Sequence, residues 1–465
     1  MSLSWWRIAP AALWTLAGVG ESMAQEPEAP KVEGLVTIAH VGEEQWRFEY
    51  DLSRGVRSIM LGPKTERYHA EAWELPADFH ITVGEGSYSY IERRDGESFD
   101  SLSVEVSTFS RMVLYAPQPF AVFGGGTAVN TGPLGFAARI GPSRTMIGFD
   151  PVYSFVGLPD ETVIVPGRER GAVTEVEIPP SGLFIYFGAV SAFRETEHVL
   201  TILDDDFPTA VTETYVSSVE AFAAFYDLEL RDALPDKLII MVSYREGPGL
   251  GFGGGAQSFQ IMAKVMGSKT LRAGREVVRR MRLFFAHEMA HIWQSDLGAD
   301  SARWFMEGEA EMLALRSLEH LGYMSAEEVA TDLTVRIAEC VKSLQGTSLA
   351  DAHLRGQPQA NYTGGALVLA AAVAATGADG TRDDIFALDR AVGALDLDRR
   401  MSAPIEAFQT AVKSLGGTQE AADAISAFIR DRHDDPLQAL RSLFDATDLA
   451  YRADGDALHI EPSTR

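Results

Sequence analysis

Cysteine is almost absent from this chain. Cys340 is the only one in 465 residues, so no intramolecular disulfide can form. It stands among Ile337, Ala338 and Val341 on an expected helix and reads as a small core residue. Positive charge is also scarce. Forty Lys and Arg against 66 Asp and Glu leave a formal net charge of −26, which argues against nucleic acid and anionic membranes as partners. Long apolar runs are missing too: the strongest internal one, Ala366 to Ala375, spans ten residues and reads as a buried helix, too short for a membrane span. Internal repeats and low-complexity tracts are lacking. What remains, 46% apolar and 23% charged, is ordinary for a globular protein with two or three domains.

Residues 1–24 resemble a secretory leader. Arg7 makes a basic start, Ile8 to Gly20 a short apolar stretch, and Ser22-Met23-Ala24 a cleavage-like site before Gln25. Residues 25–31 read as a polar linker containing proline. The expectation is export, to a bacterial periplasm or an extracellular space, with an uncleaved leader acting as a membrane anchor as the alternative. No span is expected beyond the leader.

The chemistry is concentrated in two short stretches. His287-Glu288-Met289-Ala290-His291 places two imidazoles four residues apart, on one face of a helix, where they can share one metal ion. Glu288, one step round, can reach a water on that ion and serve as general base. The segment Arg279 to Gln294 is apolar enough to be buried, and unpartnered polar groups there would be costly. A third ligand must come from elsewhere. A metzincin would need Gly and His where Gln294 and Leu297 stand, which excludes that class. Asp296 and Asp300 lie close behind without a supporting pattern. The stretch Ser301 to Gly322 has helical character and carries Glu307 and Glu311 four apart on one face. One of the two can bind the metal while the other orients a ligand histidine from behind. Glu309 is expected on a solvated face. Two His and a carboxylate with a fourth position open is the ligand set of a catalytic zinc.

His287-Glu-x-x-His291 followed by Trp304-x-x-Glu307-Gly308 resembles the gluzincin peptidases of the aminopeptidase N type and their glycyl aminopeptidase relatives. The resemblance implies one zinc per chain with Glu307 as third ligand, which leaves Glu311 as the carboxylate behind a ligand histidine. Trp293 matches an aromatic common after the second histidine. The fifteen residues between His291 and Glu307 are fewer than is usual there, and a shorter loop absorbs the difference. The family also supplies a tyrosine from a Tyr-x-x-Gly segment opening a helix, which maps onto Tyr362-Thr363-Gly364-Gly365 and implies an oxyanion donor. Beside the zinc the family places a glycine-containing strand whose Glu binds the substrate's amino terminus. The corresponding stretch is Gly253 to Phe259, and Gly254, Gly255, Ala256 and Gln257 are the implied substrate-binding positions. Gln257 stands where the acidic residue would be. Gly249, Gly251 and Gly254 also match a dinucleotide fingerprint, but no helix is expected to begin there; Ala256 to Val265 reads as a strand.

The resulting expectation is an α+β multidomain chain. Residues 32–206 alternate with period two, as at Trp46, Phe48 and Tyr50 or Leu102, Val104 and Val106, and form a β-sandwich-like N-terminal domain. Residues 207–378 form a thermolysin-like zinc catalytic domain, and residues 379–465 an α-helical C-terminal region. The expected function is a zinc metallopeptidase acting on peptide or protein substrates through a Glu-activated water, in the resembled family an aminopeptidase. The alternatives are an endopeptidase or small-amide hydrolase of the same zinc type, or a non-catalytic exported zinc-binding scaffold.

Overall fold

The computed structural model describes residues 31–462, apart from 64–65, 85–87, 111–118, 136, 142–144, 167–170, 172, 180–181, 190–192, 231–233, 235–236, 248–249, 269–273, 296, 298–301, 378–384 and 456. The expected leader, and with it Asp296, Asp300, Ser301 and Gly249, lies outside the described residues. Two compact units make up the chain: one runs to Thr209 and adds Asp236–Leu271, and the other joins Ala210–Pro235 to Arg272–Arg465.

The first unit is rich in sheet. Strand Gln45–Val56 pairs antiparallel with Val32–Gly42 on one side and Phe99–Ser107 on the other, inside a ten-stranded sheet. Its period-two pattern turns Trp46, Phe48, Tyr50 and Leu52 inward. A four-stranded sheet of Thr162–Ile164, Phe184–Gly188, Gly126–Asn130 and Phe120–Phe123 supplies the facing layer. Trp46 packs on Phe120 and Phe187, and Phe155 on Phe187, so the two sheets share one core as in a sandwich. A short helix, α1 (Glu66–Ala72), belongs to this unit.

A third, five-stranded sheet runs in the order Phe193–Glu195, Val199–Leu203, Leu238–Glu246, Gln260–Gly267 and Gly251–Gln257. Its three middle strands are parallel, and Gly251–Gln257 is an antiparallel edge strand. The single strand expected over Ala256 to Val265 is thus two strands, turning at Ser258 with its positive φ of 51°. Glycines carry no strand signal in sequence. Here Gly254 is required by close approach, since a Cβ on it would overlap the Met262 carbonyl oxygen of the neighbouring strand.

The second unit is helical. Helix α2 (Thr209–Leu230) precedes α3 (Arg275–Trp293), α4 (Arg303–His320), α5 (Ala326–Leu344), α6 (Gln359–Thr376) and α7 (Ile385–Gly393). Tyr226 of α2 donates its hydroxyl to the Ala286 carbonyl at 2.9 Å, and Tyr215 packs edge-on against Phe285, which fixes α3. Ser325 and Glu328 form a capping box at the start of α5. Four further helices follow: α8 (Leu397–Ser402), α9 (Pro404–Ser414), α10 (Gln419–Arg430) and α11 (Pro436–Thr447). The last opens on an Asp435 cap with Pro436 in its first turn. At the end of the described residues Ala457–Ile460 pairs with Tyr451–Asp454 as a hairpin, an exception to the α-helical region expected over residues 379–465. Among the described residues no helix is long and apolar enough to cross a membrane.

Candidate metal centre

Both histidines rise from the buried face of α3, whose Met281, Phe284, Phe285 and Met289 anchor it in the helical unit. Their Nε2 atoms stand 3.2 Å apart. Glu307, on the first turns of α4, brings Oε2 to 3.5 Å from His287 Nε2 and 3.6 Å from His291 Nε2. The donor atoms of these three residues all lie within 4.8 Å of one another. Glu311, one helical turn on, faces the other side of the same ring, with Oε1 3.4 Å from His287 Nδ1. The two carboxylates left open by spacing are therefore separated by position: Glu307 faces both Nε2 atoms, and Glu311 stands behind one imidazole.

Glu288 and Tyr362 complete the group. The Glu288 carboxylate is buried, and its Oε2 makes no protein hydrogen bond. The Tyr362 ring stacks on His287 with centroids 5.7 Å apart at 26°. Tyr362 lies in the first turn of α6 rather than before it, since that helix already begins at Gln359. Its position follows from two glycines. A Cβ on Gly308 would overlap the backbone of Gly365, and one on Gly365 would overlap the Trp304 carbonyl oxygen, so α4 and α6 touch backbone to backbone. That contact is one residue from Glu307 and three from Tyr362. It explains why glycine follows the glutamate in one stretch and closes Tyr-x-x-Gly in the other.

Charge in the pocket is predominantly negative. Burial works against a charged His287, yet Glu311, Glu307 and Glu288 outweigh it and raise its pKa. Burial likewise opposes ionisation of Glu307 and Glu311. For Glu307 the two histidines overcome it, and for Glu311 Arg336 and His287 do, so both carboxyls are held low. Of these three carboxyls only that of Glu288 is raised, by burial first. Burial and the charges of Glu307 and Glu288 hold Tyr362 well above its ordinary value, a neutral phenol able to donate.

Two residues were missed or misplaced in sequence. Glu309 is not on a solvated face. It is fully buried and interacts electrostatically with Asp389 of α7, whose own carboxylate takes the Ser295 backbone N–H. Helix α4 is covered on more than one side, so the usual outward face does not exist. Arg336 is buried on α5 and reaches Glu311 at 2.7 Å. Its i, i+4 pairing with Asp332 was the available sign, although such pairs are commonly superficial. Gly254, Gly255, Ala256 and Gln257 lie together on the edge strand Gly251–Gln257, in the first compact unit.

Solved structures share this architecture. An aminopeptidase N family protein from Idiomarina loihiensis aligns over 88% of this chain and 78% of its own, with a TM-score of 0.59 at 10% identity. An M1 zinc metallopeptidase from Deinococcus radiodurans aligns over 87% and 94%, with a TM-score of 0.50 at 14% identity. The chain has the M1 zinc metallopeptidase fold. Identity this low speaks to fold alone, and the sequence matches no family model and no curated protein. Within the M1 fold, the arrangement of His287, His291 and Glu307 described above is the candidate metal centre.

Proposed function

We propose that the protein is a zinc-dependent metallopeptidase, carried by the convergence of His287, His291 and Glu307 on one point flanked by Glu288 and Tyr362. The residues fit a divalent cation. Glu307 Oε2 is buried without a protein hydrogen bond, and both imidazole nitrogens stand beyond ordinary hydrogen-bond length from it. The local excess of carboxylates calls for positive charge. A two-His, one-carboxylate donor set suits zinc. Zinc held by these three residues supplies Lewis acidity, lowering the pKa of water and polarising a carbonyl.

The chain's own groups do the rest. Glu288, its carboxyl raised by burial, takes a proton from the attacking water and returns it to the leaving amine. Tyr362, neutral and fixed against His287, donates to the developing oxyanion. Glu311 holds His287 from its Nδ1 side. Loaded with zinc, the protein cleaves peptides while Glu288→Gln binds the metal and does not; equal cleavage by both refutes the assignment.

An aminopeptidase is the leading specificity, in keeping with the named relatives in fold. Gln257 favours a second reading, an endopeptidase or small-amide hydrolase, because a neutral amide does not offset the charge of a substrate ammonium. Mass spectrometry of digested peptides separates the two: cuts one residue from free amino termini support the first, and internal cuts the second. A non-catalytic zinc scaffold would have no use for Glu288 at its place in the motif.

A further inference from the structure

Arg336 is among the largest fully buried side chains described, on a helix that supplies no residue to the candidate centre. A buried cation survives only when paired, and a well-packed apolar side chain in its place would often be no less stable. Its partners are specific. One guanidinium nitrogen lies 2.7 Å from Glu311 Oε2, and Nε donates to Asp332 Oδ1 at 2.8 Å. The other oxygen of Glu311 is the one that faces His287 Nδ1. Asp332 is in turn 3.4 Å from Arg279 on α3, the helix that bears both histidines. The polar chain thus leaves α3 at His287, passes through α4 and α5, and returns to α3.

We infer that Arg336, held by Asp332, is a positioning residue for the metal centre: it fixes the rotation of the Glu311 carboxylate, and through it the His287 ring, so that Nε2 is presented to the ion. The planar fork of an arginine suits this task, because it meets two carboxylates on different helices in one fixed geometry. Partners behind ligating histidines commonly matter to metal affinity in this way. The inference rests on the zinc reading above.

The test is zinc affinity by competition with a chromophoric chelator, with the fold of each metal-free variant checked by near-UV circular dichroism. Wild type, Arg336→Met, Arg336→Lys, Glu311→Gln and the double variant Glu311→Gln/Arg336→Met are compared. Arg336→Met is expected to weaken zinc binding by about 10–100-fold. Arg336→Lys, which keeps charge beside Glu311 but loses the fork, falls between it and wild type. With Glu311 already Gln, removing Arg336 costs no further affinity. Affinity in a folded Arg336→Met within about twofold of wild type overturns the inference, as does an equal loss in both backgrounds. If Arg336→Met does not fold, Arg336→Lys carries the test, and wild-type affinity in that variant overturns it. A wild-type protein that takes up no zinc refutes the peptidase reading itself.

Discussion

The Glu288 carboxylate sits one position from a candidate ligand, buried, with one oxygen bonded to nothing in the protein. Such an atom has no structural duty, and its raised pKa brings it nearer to that of a useful base. Glu288→Gln keeps the shape and removes the base. Turnover is expected to fall by about 10²–10⁴-fold with zinc content unchanged, measured by metal analysis alongside a peptide assay. Tyr362→Phe removes one hydroxyl beside the centre. Its kcat is expected to drop by about 10²–10³-fold while KM moves little. A parallel loss in both constants would take Tyr362 out of the oxyanion role.

Helices α4 and α6 meet where two glycines allow backbone contact, and that meeting sets Glu307 beside Tyr362. A methyl group on Gly365 must push the helices apart. Gly365→Ala should destabilise the protein by about 1–3 kcal/mol and reduce turnover out of proportion, seen by denaturant unfolding and by assay well below the midpoint. Gain or loss of less than the experimental scatter in both would show that the contact is slack. At this scale the sequence was informative where periodicity is strong. The i, i+4 histidines and the Glu307–Glu311 pair each lie within a single helix, and local spacing records them. Glu309 and Arg336 were hidden because their burial depends on α5 and α7 packing round α4, which no local window contains. The strand Gly251–Gln257 was legible only through the family resemblance, over Gly253 to Phe259: four of its seven residues are glycine, and its pairing partner, not its composition, makes it extended.

Across the whole molecule, stability also depends on groups that take no part in the centre. His69 on α1 is buried between Tyr68 and Trp73, and both ring nitrogens lack a hydrogen bond. Burial lowers its pKa from 6.5 to about 3. The unfolded chain therefore binds the proton first on acidification. The folded state keeps its full stability from this group above pH 6.5 and loses it progressively as pH falls towards 3, by about 1.4 kcal/mol per pH unit. His69→Leu should flatten that part of the stability profile between pH 6.5 and pH 4 in chemical denaturation; an unchanged slope would show that His69 is solvated. Zinc acts in the opposite sense to acid. At a thousandfold excess over its Kd it should stabilise the folded protein by about 4 kcal/mol, visible as a rise in Tm that a chelator reverses.

Two histidines and a glutamate forming one catalytic metal site is the claim on which everything else rests. A defined peptide mixture incubated with zinc-loaded wild type, and separately with zinc-loaded Glu288→Gln, then read by mass spectrometry, tests it most directly. New termini with the wild type and none with the variant are predicted. Intact peptides in both tubes, or the same cuts in both, would contradict it.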